Sequence, residues 1–390
     1  MPSLSKAAAH IVQSDIRTMS IECEKVRGIN LAQGICDTEV PLPVRQRAIQ
    51  AIEGGQNSYT RLDGIATLRS AIARKMRDYN SVICDPEREV VVTAGSTGAF
   101  YSACQALLDP GDEVVVFEPY YGYHVNTLAA LHIKPAYVTL RSPDWTFSAS
   151  DLELAITSRT RAIIVNSPAN PSGKVFSREE LQWIGDAASR HDLFVFTDEI
   201  YEYFLFDGSK HISPASLSGM TDRTITISGF SKTFSITGWR LGYAVCAPQW
   251  ASAIGYFHDL AYICAPSPFQ HAVTAGLNEL KENFYAELAR EYLYKRDLLC
   301  DTLEEVGLTP SIPKGAYYVL ADSSRLSGKN SKEKAMSLLT STGVAAVPGR
   351  AFFHDDSGDN LLRFCFAKTN NDLEAACERL QKLKAVAAVR

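Results

Sequence analysis

The sequence predicts an α/β fold: a large unit with a mostly parallel sheet sandwiched by helices, followed by a smaller α+β unit. Three observations predict it. Short Val/Ile-rich runs alternate with helical patterns over most of the 390 residues. Those runs are apolar on both faces, as in strands buried within a parallel sheet. Past Pro268 the texture changes to a long helical stretch, then to short strands alternating with helices.

In chain order, residues 1–42 carry no strand of the buried kind and are expected to form an arm, with a substrate loop, packing on the small unit. The large unit is expected over 43–285. Its strands read REVVVTAG (88–95), DEVVVFEP (112–119), TRAIIVNSP (160–168), DLFVFTDEIY (192–201) and RTITISG (223–229). Helical patterns separate them. In the one over 177–192, Ser177 is a candidate N-cap and Glu180 its capping-box partner. The small unit is expected over 286–390. The helical stretch from Gln270 to Gly307 has no breaker except Gly276, and the strands GAYYVLAD, GVAAVPG and NLLRFCFAK follow, then a last helix.

Composition narrows the function classes. The net charge is −5 and the cations are spread along the chain, which argues against nucleic acid or an anionic membrane as partner. Nine cysteines without a CxxC pair read as reduced thiols, and no zinc-type spacing occurs, so no metal is expected. Cys36 is of interest because it falls in a candidate site loop. No secretory leader and no membrane-length apolar run is evident, so a cytoplasmic protein is expected.

Ligands of open parallel sheets gather beyond the carboxyl ends of the strands. Five strand ends here deliver five kinds of group. AGSTGAF opens a helix at Ser96 and Thr97, where backbone N–H groups favour an anion. PYYGY offers an aromatic plate, and NSPANPSG offers amides at Asn166 and Asn170. TDEIY brings Asp198 and Tyr201, and GFSK brings Lys232. Neither GxGxxG nor a P-loop occurs. Each group alone has a bland explanation as a cap, a turn or a solvated charge. Together they match the needs of pyridoxal phosphate: an amine for its aldehyde, a carboxylate for its ring nitrogen, donors for its ring oxygen, a flat partner and an anion cradle.

The segment SGFSKTFSITGWRLGY (228–243) resembles the lysine-bearing segment of the class I/II aminotransferases, fold-type I pyridoxal-phosphate enzymes, and the resemblance covers nearly the whole chain. It implies that Lys232 bonds the cofactor, that Arg240 holds its phosphate with Ser96, Thr97 and Ser231, and that Asp198 meets the ring nitrogen. Asn170, in the Asn170-Pro171-Ser172-Gly173 turn, and Tyr201 are implied at the ring oxygen, with Asn170–Pro171 a candidate cis peptide. Tyr121 is implied as the stacking ring, with Tyr120 its rival. Tyr59 is implied to reach across a homodimer interface, making the sites composite. NLLRFCFAK resembles the substrate-carboxylate strand, with Arg363 as the clamp and Asn170 beside it. LAQGICD resembles the closing loop, with Gly34 and Ile35 lining it. The sequence departs at Gly98, where many members carry Glu or Gln.

The implied activity is ping-pong transfer of an amino group from an L-amino acid to a 2-oxo acid, with Lys232 as base and acid and with Asp198 and Tyr201 assisting. The stretch YFHDLAYICAPSPFQ, which borders the side-chain pocket in the family, is apolar and aromatic here. With RFCFAK it most resembles kynurenine/glutamine-type or broad aromatic/methionine members, so a neutral, aromatic or sulfur-containing donor is expected. Arg61 or Lys174 are the candidate cations for a distal carboxylate. A cysteine-conjugate β-lyase and a non-catalytic regulator binding the same cofactor are the alternatives.

Overall fold

The computed structural model describes Ala8 and residues 14–387. The first part of the expected 1–42 arm, residues 1–7 and 9–13, lies outside the described residues. The strands, in order, are β1 (Ile29–Asn30), β2 (Val90–Ala94), β3 (Glu113–Glu118), β4 (Lys134–Thr139), β5 (Thr160–Asn166), β6 (Phe194–Asp198), β7 (Thr224–Gly229), β8 (Leu241–Val245), β9 (Pro310–Ser311), β10 (Tyr318–Asp322), β11 (Val344–Ala345), β12 (Val347–Pro348) and β13 (Leu361–Cys365).

Seven of them form one sheet in the order β2-β8-β7-β6-β5-β3-β4. All neighbours pair in parallel except the two pairs made by β8. The predicted α/β architecture is therefore present. The five strands read from the sequence are β2, β3, β5, β6 and β7, each nearly or wholly buried. Two were not anticipated. β4 is an edge strand, half-exposed and starting Lys-Pro, so it lacks the two-sided apolar signature. β8 is buried but short and glycine-bearing. Gly242 is required there, because a Cβ would lie 2.3 Å from the backbone N of Ser96 on the adjacent helix.

The small unit is an antiparallel sheet, β12-β13-β10-β9, covered by helices. β1 of the N-terminal segment pairs in parallel with β11. The long helical stretch is two helices, Ser267–Glu279 and Glu282–Glu305, broken at Leu280 and Lys281, which are extended. Gly276, the expected breaker, stays helical. Its missing Cβ lets Val44 and Phe234 approach, with side-chain atoms 2.7 and 3.0 Å from where that Cβ would sit. We propose that the boundary between the large and small units, expected at 285/286, falls within the helix Glu282–Glu305. The capping box at Ser177 and Glu180 is present.

Behind β6 and β7 lies a buried charge network. Lys75 Nζ meets Glu202 Oε2 at 2.5 Å and Tyr243 Oη at 3.0 Å. Asn80 donates to both Glu202 and Glu199, and His211 bonds Glu199 at 2.7 Å. Glu199, Glu202 and His211 bring metal-type ligand atoms together, but Lys75 and Asn80 already hydrogen-bond this cluster. Burial alone would depress Lys75; Glu202 overrides it and holds the ammonium well above its usual pKa. Burial alone would raise Glu202; Lys75 and His211 bring it below the usual value.

Lys75→Met should cost about 3–5 kcal/mol, because it strands Glu202 as a buried unpaired charge, whereas adding Glu202→Leu should recover part of the loss. Denaturant midpoints check both. Glu202 is depressed in the folded state, so its contribution is full above 4.5, its unfolded value, and is lost as pH falls through the lower folded value. Glu202→Gln should accordingly flatten the acid limb of the stability profile.

Candidate active site

Parallel pairing sets Asn166 at the end of β5 opposite Asp198 at the end of β6. Lys232 follows β7 by three residues, and β2 runs directly into the helix Gly95–Leu107. These ends open into a cavity of about 510 Å³. Of the residues singled out in the sequence, Gly34, Ile35, Ser96, Thr97, Tyr121 and Asn170 line it, as do Asp198, Tyr201, Ser231, Lys232, Arg240 and Arg363. Tyr59 does not; its side chain is 82% exposed. Tyr120 turns away and donates its hydroxyl to Phe353 O at 2.8 Å, which leaves Tyr121 as the cavity ring.

The Gly95–Leu107 helix has no side-chain cap, so its first N–H groups face the cavity end unsatisfied by a side chain. Gly95 adopts φ 76°, and a Cβ there would lie 2.5 Å from Arg240 Nη2. Arg240 itself is held left-handed, φ 56° and ψ 60°, with Nη1 donating to Thr237 O at 2.9 Å. A bare helix N-terminus beside a guanidinium is a cradle for a phosphate-like anion. His258 Nε2 accepts from the Ala94 N–H at 2.9 Å, just before the cradle. Burial lowers His258 to about 4, so it is a neutral acceptor at ordinary pH.

Asp198 is anchored by His124, whose Nε2 lies 3.1 Å from Oδ2, and by the N–H of Ile200. His124 is wedged between Phe100 and the edge of Tyr121, at 4.6 and 5.2 Å. Tyr201 Oη lies 3.1 Å from Tyr318 Oη. Burial, reinforced by Tyr318, keeps the Tyr201 phenol protonated. Lys232 Nζ donates to Gly34 O at 3.3 Å, and burial pulls its pKa below the usual lysine value. Asn170–Pro171 is cis.

Arg363 is fully buried. Nη1 donates to Asn170 Oδ1 at 2.9 Å and Nη2 to Ala32 O at 2.5 Å, while Nε has no partner. The guanidinium sits 4.4 Å from the Tyr318 ring centre and 5.0 Å from that of Phe352. No carboxylate among the described residues pairs with it. A buried cation in this state is built to receive an anion.

Two expectations concern residues that lie outside this chain's own cavity. Arg61 is held by Asp63 and Glu87, and Lys174 by Glu180 at 2.6 Å, each in a separate groove. Neither cation reaches the cavity, because an acidic neighbour holds each one elsewhere. The apolar stretch 256–270 does not line this chain's cavity either; Tyr256, Leu260, Tyr262 and Ile263 are exposed. Cys36 is buried behind the loop, its thiol 3.6 Å from Lys232 O. Sequence reasoning missed His124, Tyr318, His258 and Arg17. Only His124 carried a signal, as the polar residue immediately after the PYYGY plate.

The sequence profile described as "Aminotransferase class I and II" matches residues 26–380. A kynurenine–oxoglutarate transaminase of Dictyostelium discoideum is 34% identical, with 92% of each chain covered. An aspartate aminotransferase of Pyrococcus abyssi is 36% identical, with 91% of each covered. The solved N-succinyldiaminopimelate aminotransferase of Mycobacterium tuberculosis superposes with TM-score 0.94 at 35% identity, over 98% of this chain and 100% of that one. No helix among the described residues is long and apolar enough to cross a membrane.

A Cβ on Gly34 would lie 1.8 Å from Tyr318 Oη. Gly34→Ala should therefore push the 33–36 loop off the cavity wall and break the contacts of Lys232 and Tyr317 with Gly34 O, each 3.3 Å. Overpacking of this kind costs about 1–3 kcal/mol. A crystal structure of the variant with an unmoved loop would contradict this.

Proposed function

The chain belongs to the class I and II aminotransferases, which use pyridoxal 5′-phosphate, and from that premise we propose that it moves an amino group from a neutral, aromatic or sulfur-containing L-amino acid to a 2-oxo acid by a ping-pong mechanism. One observation carries the reading: the buried Arg363, its Nε unpaired, shares a cavity with the Lys232 amine and the anchored Asp198. The apolar and aromatic cavity walls, with Ile16, Ile35, Phe100, Tyr121 and Tyr318, favour a neutral or aromatic donor side chain.

The donor set fits the cofactor. Ser96, Thr97, Ser231 and Arg240 would hold its phosphate, Lys232 its aldehyde carbon, and Asp198 its ring nitrogen. Asn170 and Tyr201 would serve its ring oxygen, and Tyr121 its face. When bound, the cofactor supplies a carbon that receives the amino group and a ring that accepts electrons from the reacting centre. The rest falls to the chain. Arg363 orients the substrate's α-carboxylate through its planar fork. Burial disfavours the Lys232 ammonium, so its amine is available to take the α-proton and return it. His124 keeps the Asp198 carboxylate aimed. The 33–36 loop excludes water over the reacting atoms.

We further propose a homodimer with composite sites. The exposed Tyr59, Tyr256, Leu260, Tyr262 and Ile263 supply apolar surface that assembly would cover.

Mixing the yellow holoenzyme with single amino acids should bleach the visible band with neutral or aromatic donors more than with aspartate. A strong preference for aspartate would sink the donor assignment, and release of ammonia without any 2-oxo acid would indicate elimination instead. Lys232→Ala should lower turnover by about 10²–10⁴-fold. His258→Ala removes the acceptor of the part-buried Ala94 N–H, at a cost of about 1 kcal/mol, and should raise the cofactor's dissociation constant severalfold, as read by titrating the apoenzyme.

A further inference from the structure

We propose that Glu118 and His354 clasp the seven-stranded sheet to the segment between β12 and β13, and that this pair positions the Arg363 guanidinium by pinning Phe352 against it. The proposal rests on the aminotransferase reading above and extends it to two residues outside the cavity lining.

Glu118 ends β3 and is fully buried. A buried carboxylate is costly unless donors surround it. Thr139, its neighbour on β4, supplies one through Oγ1 at 3.2 Å. The two shorter contacts come from a single residue of the other segment. The His354 backbone N–H meets Oε1 at 2.6 Å, and the ring Nδ1 meets Oε2 at 2.8 Å. An ionised carboxylate only accepts, so Nδ1 carries the proton. The imidazole lies flat on Tyr137 of β4, with centroids 4.5 Å apart and planes inclined by 11°, which fixes the direction of Nδ1. No lysine or arginine among the described residues pairs with Glu118.

Tyr120 extends the clasp. Its N–H donates to Phe352 O at 2.9 Å and its hydroxyl to Phe353 O at 2.8 Å. The consecutive residues Phe352, Phe353 and His354 are thus tied through their main chain to the end of β3 and the turn just after it. The Tyr120 ring also stacks on Tyr137, at 5.7 Å, so Tyr120, Tyr137 and His354 form one aromatic pile. Separating the two segments would break this pile and leave the Glu118 carboxylate with Thr139 alone.

The clasp reaches the site through Phe352, which is buried with its ring centre 5.0 Å from the Arg363 guanidinium. Arg363 is otherwise held by Asn170 Oδ1, Ala32 O and the Tyr318 ring, and its Nε has no partner. The Phe352 face is therefore one of few constraints on a lightly held cation. Loss of the His354 donor frees the Phe352 backbone and lets the guanidinium turn from the direction in which a carboxylate enters. Such a change weakens the grip on the α-carboxylate without touching the Lys232 amine.

The test follows bleaching of the holoenzyme by a good amino acid donor and reads the half-saturating donor concentration and the limiting rate. His354→Phe keeps a ring on Tyr137 and the backbone N–H but removes the Nδ1 donor. It should raise the half-saturating concentration about threefold to tenfold and leave the limiting rate within about twofold. His354→Asn, which offers a side-chain N–H near the place of Nδ1, should restore most of the affinity. Phe352→Leu should reproduce the rise, and the double variant should show no more than the larger single effect, because both act on one contact. Unchanged half-saturation in His354→Phe, no rescue by His354→Asn, or additive effects in the double variant overturns the positioning role. Should His354→Phe not fold, Glu118→Gln, which keeps the shape and removes the charge, should give the same rise, and an unchanged value there overturns the role equally. Failure of every amino acid to bleach the wild type would instead overturn the aminotransferase reading, so the two failures are distinct.

Discussion

Because β5 and β6 pair in parallel with Asn166 opposite Asp198, an amide and a carboxylate arrive at one edge of the sheet with no loop deciding their separation. The rest of the site depends on that pairing. The turn beginning at Ser167 starts from a fixed strand end, and the Asn170 N–H is held by Asn166 Oδ1 at 2.8 Å. β7 lies on the other side of β6, so the Lys232 segment leaves the sheet next to Asp198. A one-residue slip between β5 and β6 would turn these side chains to the opposite face. The fully buried apolar residues of the three strands make such a slip costly.

The two buried charge systems do opposite work. Lys75 and Glu202 neutralise one another, with the Asn80 amide and the Ser228 and Tyr243 hydroxyls adding hydrogen bonds, so this pair is compensated within the core. Arg363 is as buried but lacks an anion, and only neutral oxygens and two aromatic faces support it. Its desolvation is partly offset by those rings. The remainder is a deficit that an entering carboxylate would offset.

The legibility of the sequence follows physical lines. Two-sided burial leaves an unbroken apolar run, so β2, β3, β5, β6 and β7 were readable; β4 lies at an edge and reads as neither pattern. Gly276 suggested a break, yet its lack of a side chain serves close packing, while the real break at Leu280 and Lys281 has no punctuating residue. The site residues on strand ends were readable because topology, and not distance along the chain, brings them together. Arg61 and Lys174 could not be judged from sequence, since Asp63, Glu87 and Glu180 decide where their charges go. Arg17 and His258 were invisible for a related reason. Each reaches the site from a helix whose placement depends on packing among residues far apart in the chain.

The loop that closes the site is tied to both units, which bears on how binding could be sensed. Leu31 O accepts from the Cys365 N–H of β13, and Ala32 O accepts from Arg363. Gly34 O accepts from both Lys232 and Tyr317, and Cys36 bonds back to Lys232 O. Asp37 pairs with Lys368 at 3.1 Å. The segment 31–37 thus touches both the buried Arg363 guanidinium and the Lys232 amine. Gly34 is the position where the loop has least room to give, pressed against the Tyr318 hydroxyl.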